Sequence, residues 1–140
     1  MALSKKKIVA QYARMWPREV FDIIEENKLL AKGEGFEHLK HPGVYILYRD
    51  DHPYYIGKTK RSLFSRLHTH ANISADRYYN FWNYFSVFVV PDKKHVDEVE
   101  GILIASMTTA NSAVPRIPQI RLPARVAKIL RQAKRSGLNL

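Results

Sequence analysis

Apolar and polar positions alternate with a period of two from Val44 to Tyr48 and again from Tyr54 to Ile56, which predicts two short strands. The connection Arg49-Asp50-Asp51-His52-Pro53 carries the polar residues and the proline of a hairpin loop. Alternation sends Tyr45 and Leu47 to one face and Val44, Ile46 and Tyr48 to the other. A lone hairpin is only marginally stable in water, so this pair needs a third strand or a covering helix. Tyr84 to Val90, ended by Pro91, supplies that third strand.

The spacing changes to a helical period after the hairpin. Ser62 caps a short helix, Leu63 to Ala71, whose apolar side is Leu63, Phe64, Leu67 and Ala71. Arg66 and His70, four apart, stack along the border of that side. A longer helix is predicted from Lys93 to about Met107, with Asp92 as its cap. At 100° per residue, Val96, Val99, Leu103, Ile104 and Met107 form one apolar arc, and Asp97 and Glu98 point away from its centre. Glu100 falls inside the arc, between Met107 and Ile104. A carboxylate there is costly unless it meets a cation, a hydrogen-bond donor or a metal. Two readings stay open: a structural salt bridge to Arg66, or a ligand for a hydrated divalent ion completed by substrate phosphate.

The flanks read as helical. One helix is expected from Ser4 to about Trp16, and a second from Pro17 to Leu30 with acidic residues toward its start. Lys32-Gly33-Glu34-Gly35 breaks the pattern, and Phe36, Leu39 and Pro42 lead onto the first strand. The aromatics Tyr78, Tyr79, Phe81 and Trp82 read first as core packing and second as a base-stacking platform. Thr108 to Ser112 ends the long helix, where Asn111 serves either a helix end or a substrate contact through its amide. Beyond three prolines, Ala124 to about Ser136 forms a last helix with Val126, Ile129 and Leu130 on its inner side. The expected fold is therefore α/β (α+β): a small, mainly antiparallel three-stranded sheet flanked by helices, with N- and C-terminal helical extensions.

Charge narrows the partners. The 140 residues fit one domain, and a net charge of +10 favours an anionic partner, nucleic acid before membrane. Arg116, Arg121, Arg125, Lys128, Arg131, Lys134 and Arg135 give the tail a positive field with no acid to balance it, suited to phosphate-backbone contacts. Its apolar stripe has no Trp or Phe, which argues against a membrane surface. Cysteine is absent, which excludes disulfides, thiolate chemistry and cysteine-ligated metals. No apolar run spans a bilayer and no secretory signal is apparent, so a cytoplasmic or nucleoid-associated location is expected.

The segments Gly43-Val44-Tyr45 and Tyr55-Ile56-Gly57 resemble the two signature segments of the GIY-YIG endonuclease family, at about the family's spacing. The resemblance covers roughly residues 41–113, which it marks as the catalytic core between an N-terminal extension, 1–40, and a basic C-terminal extension, 114–140. By motif position it implies Tyr45, Tyr55, Arg66, Glu100 and Asn111 as site residues, with Glu100 holding one Mg²⁺ or Mn²⁺. Lys58 resembles a lysine of the family's DNA-repair branch, and His70 a histidine of its restriction members. The stretch from Tyr55 to Arg66 is slightly longer than in the repair proteins.

The resemblance implies a DNA endonuclease, dimeric if both strands are cut in concert. The competing reading is a nucleic-acid-binding or structural module on the same scaffold without turnover. A tyrosine needs nearby positive charge or a proton acceptor to act as a base. Lys58 is the expected charge and His70 the expected acceptor, with Tyr45 as general base and Tyr55 orienting water or phosphate. The reverse assignment of the tyrosines stays open.

Overall fold

The computed structural model describes residues 7–28, 36–72, 81–107, 118 and 121–135. Its strands are β1 (Gln11–Pro17), β2 (Gly43–Arg49), β3 (His52–Thr59) and β4 (Tyr84–Val89), and its helices are α1 (Val20–Glu26), α2 (Leu63–Asn72), α3 (Val96–Ser106) and α4 (Ala124–Arg135). The strands form one antiparallel sheet in the order β1-β4-β2-β3. The motif hairpin is thus on one side, with β3 at the edge.

The sheet has four strands rather than three because Gln11–Pro17 is a strand, not part of the helix expected from Ser4 to Trp16. Ala13 is buried while Tyr12 and Arg14 are exposed, an alternation too short to outweigh the helical spacing around it. Pairing with β4 decides the conformation, because a strand gains its hydrogen bonds only from a neighbour. The register shifts between Ala13 and Trp16, where Met15 takes a left-handed φ of 54° and its N–H donates to Ser86 Oγ at 3.0 Å. The helix expected to start at Pro17 begins at Val20 instead, since Pro17 still pairs with Tyr84.

Two apolar layers sandwich the sheet. Tyr45, Leu47, Phe85 and Val87 pack with Phe21 of α1, Leu63 and Leu67 of α2, and Trp82. Val44, Ile46 and Ile56 pack with Val90 and Val96 on the other face, joined by Val99, Leu103, Ile104 and Met107. The faces of β2 and the apolar arc of α3 are those the periodicities dictate. Trp82 is core, with its Nε1–H donated to the His70 carbonyl, whereas Phe81 is half-exposed and stacks on Tyr54.

Helix α2 is held at both ends. The Ser65 N–H donates to Ser62 Oγ, and the Arg18 guanidinium donates to the Ala71 carbonyl at 2.6 Å. At the other junction, a side chain at Gly43 would overlap the Phe88 carbonyl, so glycine lets β2 approach β4 there. Asp92 caps a 3₁₀ turn, Lys93–His95, that leads into α3.

The expected inner side of α4 is not covered within the described residues. Val126, Ile129 and Leu130 are all exposed, and the helix buries no residue.

Candidate active site

The site begins with a phenol laid over a glycine. Register places Tyr45 opposite Gly57, and Tyr45 is fully buried. A methyl group at Gly57 would overlap the Tyr45 ring and hydroxyl and press on the Tyr55 ring. The second glycine of the motif is thus the floor on which both tyrosines lie, with ring centroids 6.2 Å apart.

His70, itself buried, closes over them from α2. Its Nε2 is 2.8 Å from Tyr45 Oη. The position follows from helix periodicity, since His70 lies three residues beyond the buried Leu67 and one before the buried Ala71. Gly57→Ala drives a methyl group into a wholly enclosed Tyr45 ring that has no free volume to absorb it, so relief comes only by a strained shift that disturbs the bond to His70. We expect a loss of about 1–3 kcal/mol in urea denaturation and about 10²-fold in turnover.

Arg66 brings a cation to this phenol. Its Nε–H donates to Tyr45 Oη at 3.4 Å. Burial pushes the Tyr45 pKa up, the neighbouring Tyr55 raises it further, and Arg66 only partly offsets both. Tyr45 therefore holds its proton at neutral pH. Lys58, the expected source of charge for the phenol, is engaged elsewhere.

Lys58 alternates with Gly57 on β3 and so points to the opposite face, toward α3. Its Nζ lies 2.6 Å from Asp97 Oδ1 and 3.3 Å from Glu100 Oε1. Lys60 Nζ reaches the other Asp97 oxygen at 3.3 Å. Partial burial pulls the Lys58 pKa down, but the two carboxylates outweigh it and hold the ammonium above its ordinary value. The Lys58 hydrogen bond in turn keeps the Asp97 carboxyl below the usual carboxylate range, against a smaller opposing effect of burial. Glu100 in the apolar arc is thus partnered by Lys58 and not by Arg66.

The tyrosines and Glu100 lie on opposite faces of the sheet, and the β3 edge is where the faces meet. A groove of about 410 Å³ runs from Lys58 past Lys60 and Arg61 to Arg66. Four hydroxyl side chains, Thr59, Ser62, Ser65 and Thr69, complete its lining. One end touches Glu100 through Lys58, and the other touches Tyr45 through Arg66. Cations interspersed with hydroxyl donors suit a phosphate-bearing ligand.

Glu100 fits a hard divalent cation. Its side chain is only 15% exposed, it pairs with Lys58, which lines the groove, and it offers carboxylate oxygen as donor. Among the described residues no three His, Asp or Glu side chains cluster to form a cage. Mg²⁺ suits such a place, because it retains several waters and needs one or two carboxylates plus substrate phosphate.

Sequence reasoning did not single out Asp97, Lys60 or the groove hydroxyls. The available signals were the three-residue spacing of Asp97 and Glu100 and the alternation of Lys58 and Lys60. Asn111 and Arg116 lie outside the described residues. Arg121, Arg125, Lys128, Arg131, Lys134 and Arg135 are all exposed, the last five on α4.

A cationic groove beside a buried Tyr45 and a partly buried Tyr55, on a small antiparallel sheet, is the site of a nuclease domain. Residues 41–111 match the GIY-YIG catalytic domain, and the chain belongs to the GIY-YIG endonuclease family. Among solved structures it is similar to the N-terminal endonuclease domain of UvrC from Thermotoga maritima. The magnesium-bound form is 29% identical, with a TM-score of 0.45, over 53% of this chain and 89% of that one. A tyrosine-to-phenylalanine mutant of the same domain, bound to its catalytic divalent cation, is 27% identical, with a TM-score of 0.46, over 55% and 92%. No curated protein matches the chain.

Proposed function

We propose that this protein hydrolyses DNA phosphodiester bonds with the help of one divalent ion held by Glu100. The observation that carries the reading is the β3-edge groove, whose Lys58 pairs with Glu100 at one end and whose Arg66 donates to Tyr45 of the Tyr45–His70 pair at the other. A phosphate in the groove meets Arg66, whose planar guanidinium offsets charge on the phosphoryl oxygens.

Tyr45 works as a proton relay and not as a standing tyrosinate, because burial favours the neutral phenol. With Nε2 of His70 unprotonated, the Tyr45 hydroxyl donates to it across 2.8 Å. As water attacks phosphorus, Tyr45 Oη takes the water proton while its own passes to His70. Tyr55, beside Tyr45, orients the water or the phosphate. Mg²⁺ at Glu100 would add Lewis-acid neutralisation of the phosphoryl charge and of the departing 3′-oxygen. The exposed cations of α4, with Arg121, track the DNA backbone outside the cleavage site.

Supercoiled plasmid tests this directly. Nicking or linearisation in Mg²⁺ that stops in excess chelator and returns on adding Mg²⁺ is the expected outcome. Absence of cleavage on both single- and double-stranded substrates would leave the binding-module reading instead.

A further inference from the structure

We infer that Asp97 is a positioning residue that keeps the Lys58 ammonium from occupying the metal's place on Glu100. The inference rests on Glu100 being the metal ligand. Asp97 and Glu100 are three apart on α3 and therefore on neighbouring turns of one face. Both are within reach of the same ammonium, and the grip is unequal: 2.6 Å to Asp97 against 3.3 Å to Glu100. Lys60 anchors the second Asp97 oxygen and so fixes the carboxylate that holds Lys58.

An ammonium and a hydrated divalent ion compete for the same carboxylate. In β3 Lys58 faces α3 whatever Asp97 does, since strand alternation fixes its side. Without the Asp97 charge, the nearest remaining carboxylate for Lys58 among the described residues is Glu100. A tightened Lys58–Glu100 pair must then be opened before a metal can enter. Asp97 thus acts on the metal through Lys58, as outer residues commonly tune a ligand they do not replace.

Asp97 also carries a negative charge that attracts any cation, so a single substitution does not separate the two effects. A double-mutant cycle does. The measurement is Mn²⁺ binding to the full chain without DNA, read by the electron paramagnetic resonance of free Mn²⁺. Asp97→Asn in the wild-type background is expected to weaken binding by about tenfold. In a Lys58→Met background the same substitution should change binding by less than about twofold, because the competing ammonium is gone.

Equal weakening in both backgrounds would mean that Asp97 acts only through its field, and would overturn the inference. Glu100→Gln serves as the reference for the underlying reading. If it binds Mn²⁺ as wild type does, Glu100 is not the ligand and both readings fall. If it abolishes binding while the cycle is additive, only the role of Asp97 falls.

Discussion

Glu100→Gln is expected to lower Mg²⁺-dependent cleavage by at least about 10³-fold, since it removes the anionic donor of the proposed metal site. The amide keeps the shape and polarity of the side chain, and Lys58 keeps its closer partner Asp97, so folding should survive. A partly exposed pair of this kind contributes only about 0–1 kcal/mol to stability. Plasmid cleavage and the far-ultraviolet circular dichroism of the same sample decide the matter together. Retained structure with lost cleavage is the expected result. Cleavage near the wild-type rate would remove Glu100 from the chemistry.

Tyr45→Phe should reduce turnover by about 10²–10⁴-fold, the range for losing a positioned general base. The ring still fills its place over Gly57, so what disappears is the hydroxyl that joins Arg66 to His70. Stability should fall by about 1 kcal/mol for the lost buried hydrogen bond. An independent signature comes from alkaline pH. The folded-state pKa of Tyr45 lies above the ordinary 10.0, so the folded protein keeps a proton that the unfolded chain gives up. That contribution is fully present below the unfolded pKa and is lost as pH rises beyond it. Between about pH 9 and 11 the thermal midpoint of wild type should therefore drop more steeply than that of Tyr45→Phe. Parallel pH profiles would show that Tyr45 titrates normally and would undo the relay argument.

Parts of this arrangement are dictated locally. The period-two alternation of β2 suffices to put Tyr45 and Val44 on opposite faces. The projection of α3 likewise puts Glu100 among apolar residues. What the local pattern lacks is the partner. The strand character of Gln11–Pro17 is conferred by β4, more than sixty residues away, and no nearby spacing encodes it. Lys58 sits three residues after Tyr55, close enough in sequence to suggest that it serves the phenols. Strand geometry carries it to the other face, where it meets Asp97 and Glu100, and the cation beside Tyr45 comes from a helix instead. Helix spacing and motif position agree on the Tyr45–His70 pair, which the structure joins by a hydrogen bond; on α4, periodicity identifies an apolar side without saying what covers it, and among the described residues nothing does.

The β1–β4 pairing also shows that the boundary of sequence similarity is not a folding boundary. A chain begun at residue 41, where the family match starts, would keep every matched residue up to 111 and still forfeit β1. The outer rim of β4 would then present a row of unsatisfied amides and carbonyls beside Phe85 and Val87, open to strand exchange with a neighbouring molecule. In this protein the leading segment is a protective border for the catalytic sheet, and excising the motif region alone uncovers an edge that invites pairing with another chain.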